Sequence, residues 1–231
     1  MTTACVDHLV VLASDLASGV AWCEQHLGVT PQAGGEHPLM GTHNRLLNIS
    51  SAAYPRAYLE IIAINLEAEK SIPSSARRWF DMDDVALQQQ VSRHRPQLIA
   101  WVASVPDLSA ASAALAQQGL DCGPAVSASR PTPSGLLTWQ IGIRSDGQRL
   151  MQGCLPSLIQ WGGTHPCDRL PPSGVQLQSL VLEHPQTGTL RAACASVGLA
   201  AVAVRSGPAA RLHASLNTPR GSFELLSSVP A

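Results

Sequence analysis

The sequence predicts an α+β protein built from repeated modules, each opening on a strand and a helix. Three observations carry this. A β-rich apolar run, a polar or turn-forming loop and a helix follow one another three times along the 231 residues. Each of these helices ends at a glycine, Gly28, Gly119 or Gly198, the residue best able to adopt the left-handed turn that closes a helix. The triplets around those glycines match in type: Leu27-Gly28-Val29, Gln118-Gly119-Leu120 and Val197-Gly198-Leu199. A fixed echo of this kind is how repeated supersecondary units show in a single sequence.

The elements follow in order. Val6–Ala13 is β-rich and apolar, hence a strand. Asp15 is placed to cap a helix in which Leu16, Val20, Cys23 and Leu27 recur at helical spacing. Pro31–His43 is turn-rich, because Gly34, Gly35, Pro38 and Gly41 interrupt regular structure, with room for one strand near Val29–Ala33. Arg45–Ser50 and Ala57–Asn65 read as strands. A helix around Ala76–Gln90 sits in a polar linker. Then Leu98–Val105 restarts the pattern, with Asp107 as cap and Leu108–Gln118 as helix. Leu136–Arg144 alternates apolar Leu137, Trp139, Ile141 and Ile143 with polar positions, a half-buried strand. Leu155–Trp161 is a further strand, and Thr164–Pro172 a proline-rich joint. The third restart is Val175–Glu183, the helix Thr187–Val197, and strands over Ala200–Arg205, Arg211–Asn217 and Ser222–Ser227. The expected organisation is a first module over 1–66, a helical linker over 67–97, a second module over 98–163, and a third, degenerate module or extension over 164–231.

Composition narrows the function classes. Hydrophobic residues make up 45% and charged residues 13%, which favours a packed globule over a disordered chain. The net charge of -1 offers no pull towards nucleic acid or an anionic membrane. Six cysteines lie at 5, 23, 122, 154, 167 and 194, with no CxxC pair for zinc or redox work. Lys70 is the sole lysine, so a Schiff-base mechanism would hang on one linker residue. No basic leader precedes the first strand, and the longest apolar run is far too short to span a bilayer, so the expectation is a cytoplasmic protein. Nucleophile-elbow, Walker and Rossmann patterns are absent.

One series of motifs stands out: Val6-Asp7-His8-Leu9-Val10-Val11, then Gly34-Gly35-Glu36-His37-Pro38-Leu39-Met40-Gly41-Thr42-His43-Asn44-Arg45-Leu46, then Tyr58-Leu59-Glu60-Ile61-Ile62. With Pro156–Trp161 as a later strand, this resembles the glyoxalase-like domain family of the vicinal oxygen chelate (glyoxalase/bleomycin resistance/dioxygenase) superfamily, over roughly residues 5–165. The resemblance implies βαβββ modules that form a curled, cup-like mixed sheet. It also implies a divalent metal (Zn, Ni, Mn or Fe) in the cup, and a metal-assisted lyase, isomerase or dioxygenase acting on a small oxygen-rich molecule. His8 takes the first-strand ligand position and Glu60 the last-strand one. An imidazole and a carboxylate suit such a metal, and an ionised Glu60 in an apolar strand needs a metal, a cation or a donor beside it. The bland alternative is a structural His8–Glu60 hydrogen bond.

The other modules depart from the pattern. The position matching His8 in the second module falls on Ile99 or Ala100, and that matching Glu60 near Ile159 or Gln160. In the third module Ser179 matches His8 and Glu224 matches Glu60. Gln160 or Glu224 is therefore the expected third ligand or general base. His37, Thr42 and Asn44 offer donors and acceptors at a strand entrance, and Trp139 and Trp161 would shape a pocket. Thr42 and Asn44 could equally cap the hairpin. Arg130 and Arg144 carry the guanidinium suited to a carboxylate substrate, or else are solvated. A metal-free protein that sequesters a small molecule is the rival function. The third module either packs back on the first, covers an edge, or pairs with its copy in a homodimer. Pairing of the first two modules into one cup is the preferred architecture.

Overall fold

The computed structural model describes residues 3–68, 77–93, 95–132 and 135–227. These residues form twelve strands and four helices in an α+β arrangement. Eight strands make one mixed sheet in the order β2-β3-β4-β1-β5-β8-β7-β6, curled until it nearly closes into a cup. They are β1 (Cys5–Leu12), β2 (Gln32–His37), β3 (Thr42–Asn48), β4 (Tyr58–Ile64), β5 (Gln97–Ser104), β6 (Ala125–Thr132), β7 (Gly135–Gly142) and β8 (Ser157–Trp161). The seam is β1 against β5, which run antiparallel and join the strands of 1–66 to those of 98–163. The first two stretches thus build the cup together, as preferred.

The alternation of side chains across this sheet sorts its two faces. Leu9, Val11, Leu59, Ile61 and Trp101 point to the convex side and pack with helices α1 (Leu16–His26) and α3 (Leu108–Ala116). Val10, Leu12, Ile62, Val102, Ile141 and Ile159 line the concave side. The helix starts fall where their caps dictate. The Asp15 side chain accepts from Ser18 N at 2.8 Å, and that of Asp107 from Ala110 N at 2.9 Å.

Three expectations shift. The linker helix α2 spans Val85–Arg93; the Ala76 end of the expected helix lies outside the described residues. Asp84 sets the start by accepting from Ala86 N and Leu87 N at 2.7 and 3.0 Å. Ahead of it, Phe80 and Asp81 take left-handed φ values of 59° and 57°, uncommon for side-chain-bearing residues. Asp81 is pinned there by its N–H on Gly147 O at 2.9 Å and by Arg149 Nε on Oδ2 at 2.7 Å. The turn drives Phe80 into the mouth of the cup. Second, the turn-rich stretch before His43 holds a strand, β2, because the paired glycines form a bulge instead of a break. Third, β6 was not expected at all. Its sequence, AVSASRPT, lacks an apolar stripe, and Pro131 is tolerated because β6 is an edge strand.

The remaining strands, β9 (Gln176–Glu183), β10 (Ala203–Arg205), β11 (Arg211–Thr218) and β12 (Gly221–Leu226), form a separate sheet in the order β10-β9-β11-β12. Together with α4 (Thr187–Ser196), they send Leu177, Leu182, Leu190, Leu212 and Leu216 into the core on the convex side of the cup. Among the described residues no helix is long and apolar enough to cross a membrane.

Candidate functional site

Strand register converges a set of polar side chains on the concave face. β1 runs parallel to β4 with His8 beside Tyr58, and their rings stack at 4.4 Å and 19°. Two residues on, Glu60 shares that face, as does Asn44 of β3. Between β1 and β5 the register slips at Asp7: Val6 faces Ala103 and His8 faces Val102. Such a bulge re-aims side chains, and the carboxylate of Asp7 lies behind the imidazole of the next residue. Asp7 is 1% exposed, and His8 and Glu60 are 5% each.

A closed set of hydrogen bonds holds these groups. Asp7 Oδ1 accepts from His8 Nδ1 at 2.7 Å. Its Oδ2 accepts from Trp161 Nε1 at 2.8 Å and from His165 Nε2 at 3.1 Å. His165 can donate there because its Nδ1 accepts from Cys167 N at 3.1 Å. Burial alone would raise the Asp7 carboxyl, but the hydrogen bonds from His165 and His8 outweigh it and lower the group to about 2. Asp7 is therefore a carboxylate at any ordinary pH and fixes the His8 proton on Nδ1.

The second half of the network starts at β2. Gly34 and Gly35 bulge opposite Asn44, between the pairs Ala33–Arg45 and Glu36–His43. A Cβ on Gly34 would stand 1.9 Å from Asn44 Oδ1, so only glycine admits the amide. Gly35 N donates to that oxygen at 2.7 Å, which fixes the amide's orientation. Asn44 Nδ2 then donates to Glu60 Oε1 at 2.5 Å and faces His37 Nε2 at 3.4 Å. His37 Nδ1 lies 3.0 Å from Thr42 Oγ1. Burial pushes the His37 imidazole down to about 4, with only a partial offset from the Glu60 charge, so His37 is neutral and its Nε2 accepts. Burial, reinforced by the charges of Asp7 and Glu60, lifts the Tyr58 phenol well above its usual range.

One pair is left unsettled. His8 Nε2 faces Glu60 Oε2 at 3.6 Å, beyond hydrogen-bond length. With Nδ1 carrying a proton, these facing atoms are both acceptors unless something with a positive end stands between them. The pocket around them is walled by Trp79, Phe80, Leu137, Trp139, Ile159 and Trp161, and its open space is about 40 Å³, enough for a few water molecules.

Of the residues singled out in the sequence, His8, Glu60, His37, Asn44, Trp139 and Trp161 all line this pocket. Thr42 stands behind it, supporting His37. Gln160 and Glu224 are not brought here. Gln160 points through the sheet to the convex side, where its Oε1 accepts from Leu108 N at 2.8 Å and caps α3; strand alternation hands the concave face to Ile159 and Trp161. Glu224 is exposed on β12, in the other sheet. Arg144 pairs with exposed Asp146, whereas Arg130 borders the pocket. Asp7 and His165 escaped the sequence reading. An acid inside the apolar run Val6–Val11 was a visible signal for Asp7, but nothing local marks His165.

Among the described residues the donor set for a metal is incomplete. His8 Nε2 and Glu60 Oε2 are spaced as two ligands of one ion could be, with Asp7 as the carboxylate that orients such a histidine. Among the described residues, however, no three His, Cys, Asp or Glu side chains gather around one point. Opposite His8 stands Val102, and catalytic zinc sites take three protein ligands.

The family model for the glyoxalase-like domain matches residues 6–198. Among solved structures, a hypothetical protein from Staphylococcus aureus is similar at 14% identity, over 98% of this chain and 87% of that one, with a TM-score of 0.58. A methylmalonyl-CoA epimerase of Streptomyces coelicolor aligns at 14% identity over 71% of this chain and 99% of that one, TM-score 0.43. A mutant 4-hydroxymandelate synthase from Streptomyces coelicolor aligns at 13% identity over 98% and 63%, TM-score 0.46. No curated protein matches the chain.

Proposed function

Since this chain belongs to the glyoxalase-like domain family of the vicinal oxygen chelate superfamily, we propose that its cup binds a small oxygen-rich molecule and moves a proton on it, as an isomerase or lyase. The observation that carries this reading is the pair His8 Nε2 and Glu60 Oε2, 3.6 Å apart in residues that line one pocket. Each flanking atom is prepared for proton transfer. Asn44 occupies Oε1 of Glu60 and leaves Oε2 to act as base on a C–H or O–H held in the pocket beside the pair. Asp7 holds the His8 imidazole by Nδ1, so Nε2 can take the proton or, once protonated, return it to the adjacent oxygen or carbon. A carboxylate behind a histidine stabilises the imidazolium that forms. Apolar walls of Trp79, Phe80 and Ile159 exclude water and strengthen these charges.

The test uses proton exchange. Small carbonyl compounds with adjacent oxygens, incubated with the protein in D₂O, should exchange the C–H next to the carbonyl, followed by NMR. Glu60→Gln and His8→Gln should each slow the exchange about 10²- to 10⁴-fold, the usual contribution of a positioned acid or base. A chelator should leave the rate unchanged. Loss of exchange on chelation, restored by one divalent metal, would return the site to the metal-assisted class.

A further inference from the structure

We infer that the molecule bound in the cup is a carboxylic acid with an apolar body: Arg130 receives the carboxylate, and the vestibule beside the β2–β3 turn takes the hydrocarbon. This rests on the acid–base reading of His8 and Glu60 and adds the substrate class to it.

Arg130 comes from β6, one edge of the curled sheet, and its side chain crosses to β2, the other edge. It lies so flat on Gly35 that a Cβ there would stand 2.2 Å from Nη1. It lines the same pocket as Glu60 and His8. Other arginines of the molecule have carboxylate partners: Arg56 with Asp168, Arg78 with Asp83, Arg149 with Asp81 and Arg205 with Glu183. No hydrogen bond or ion pair holds Arg130 among the described residues. A partly buried guanidinium against apolar walls is costly to leave without an anion, and a carboxylate matches its planar fork with two parallel hydrogen bonds. The charge of Glu60 in the same cup disfavours a dianion such as a phosphoryl group.

The apolar half of the inference comes from the neighbouring cavity. A space of about 270 Å³ opens between the β2–β3 turn and the β6–β7 hairpin, walled by Leu39, Met40, Val126, Trp139, Ile141 and Ile143. His37, Trp79, Trp139 and Ile141 line both this space and the cup, so the two adjoin. Leu39 is 61% exposed at this rim. An acid whose carboxylate sits on Arg130 would hold its neighbouring carbon in the pocket that His8 and Glu60 line and turn its chain to this wall.

Trp79, Trp139 and Trp161 border the cup and report binding by fluorescence. Octanoate should bind at least tenfold more tightly than octanol, acetate or octyl phosphate. Arg130→Met should remove the preference of octanoate over octanol, Arg130→Lys should keep part of it, and circular dichroism should show both variants folded. Leu39→Ser should weaken octanoate and leave acetate unchanged. Octanol or octyl phosphate binding as tightly as octanoate, no octanoate binding at all, or a folded Arg130→Met protein that keeps the preference would each overturn the inference. Glu60→Gln should bind octanoate as well as the native protein or better. If the Arg130-dependent preference holds while Glu60→Gln still exchanges protons at the native rate, the acid–base reading fails and the carboxylate site stands.

Discussion

Asp7 shows what one buried carboxylate can organise. Three donors from three places, the adjacent His8, Trp161 of β8 and His165 beyond it, converge on its two oxygens. The group therefore ties the second half of the cup to the first and sets the tautomer of the histidine that faces the pocket. Asp7→Asn keeps the shape but loses the charge and forces one amide N–H towards a donor. Breaking a buried charged pair on one side costs about 3–5 kcal/mol, and that is the loss expected at neutral pH in urea unfolding. The pH dependence has a definite sign. The folded pKa, about 2, lies below the value of about 3.9 for an unfolded aspartate. The stabilisation is thus complete above pH 4 and fades as pH falls towards 2. The gap between native and variant proteins should be constant from pH 7 to 5 and narrow at pH 3. A gap that widens on acidification would contradict this account.

At the scale of elements, β2 is the instructive case. Its glycines look like turn residues, yet they let a strand bend over Asn44. The structure separates their roles. A Cβ on Gly34 meets Asn44 Oδ1 at 1.9 Å and Asn44 backbone O at 2.6 Å, whereas one on Gly35 meets only the flexible side chain of Arg130. Gly34→Ala should therefore destabilise by about 1–3 kcal/mol, the usual cost of overpacking, and Gly35→Ala by less than about 1 kcal/mol; thermal unfolding of the two variants checks the order. These same elements mark how far the sequence could be read. Strands whose two faces are both buried, β1, β4 and β5, announce themselves by unbroken apolar runs. So did His8 and Glu60, as polar groups inside such runs. β6 has no apolar stripe because it is an edge strand, so it was invisible, and with it the setting of Arg130. Gln160 and Glu224 stand away from the cup for different reasons: Glu224 because its strand belongs to the other sheet, Gln160 because of the face it takes. Matching modules by motif gives the strand but not the face, and one residue of register decides which side of a sheet a side chain occupies.

The whole molecule poses a question of cooperativity. The third stretch of chain brings its own four-stranded sheet, on which Glu224 is exposed. Its apolar side does not stand alone. Leu177, Leu180, Leu182, Leu212 and Leu216 share one continuous core with Leu9, Val11, Trp22, Trp101 and Leu108 from the convex side of the cup. Backbone N–H groups also donate across the boundary, Leu177 N to Ile49 O at 2.8 Å and Leu180 N to the Tyr54 hydroxyl at 3.1 Å. A core shared in this way couples the two sheets, so neither can lose its packing without exposing apolar surface on the other. Leu182 is fully buried in the third stretch, and Leu182→Ala should cost about 2–5 kcal/mol, as such truncations do. Trp22, Trp79, Trp101, Trp139 and Trp161 all lie within residues 1–163, so tryptophan fluorescence reports the first two stretches. If the core is one unit, Leu182→Ala lowers the urea midpoint seen by tryptophan fluorescence and the midpoint seen by far-ultraviolet circular dichroism by the same amount, in a single transition. An independently folding third sheet would instead leave the fluorescence midpoint where it is and split the circular dichroism curve in two.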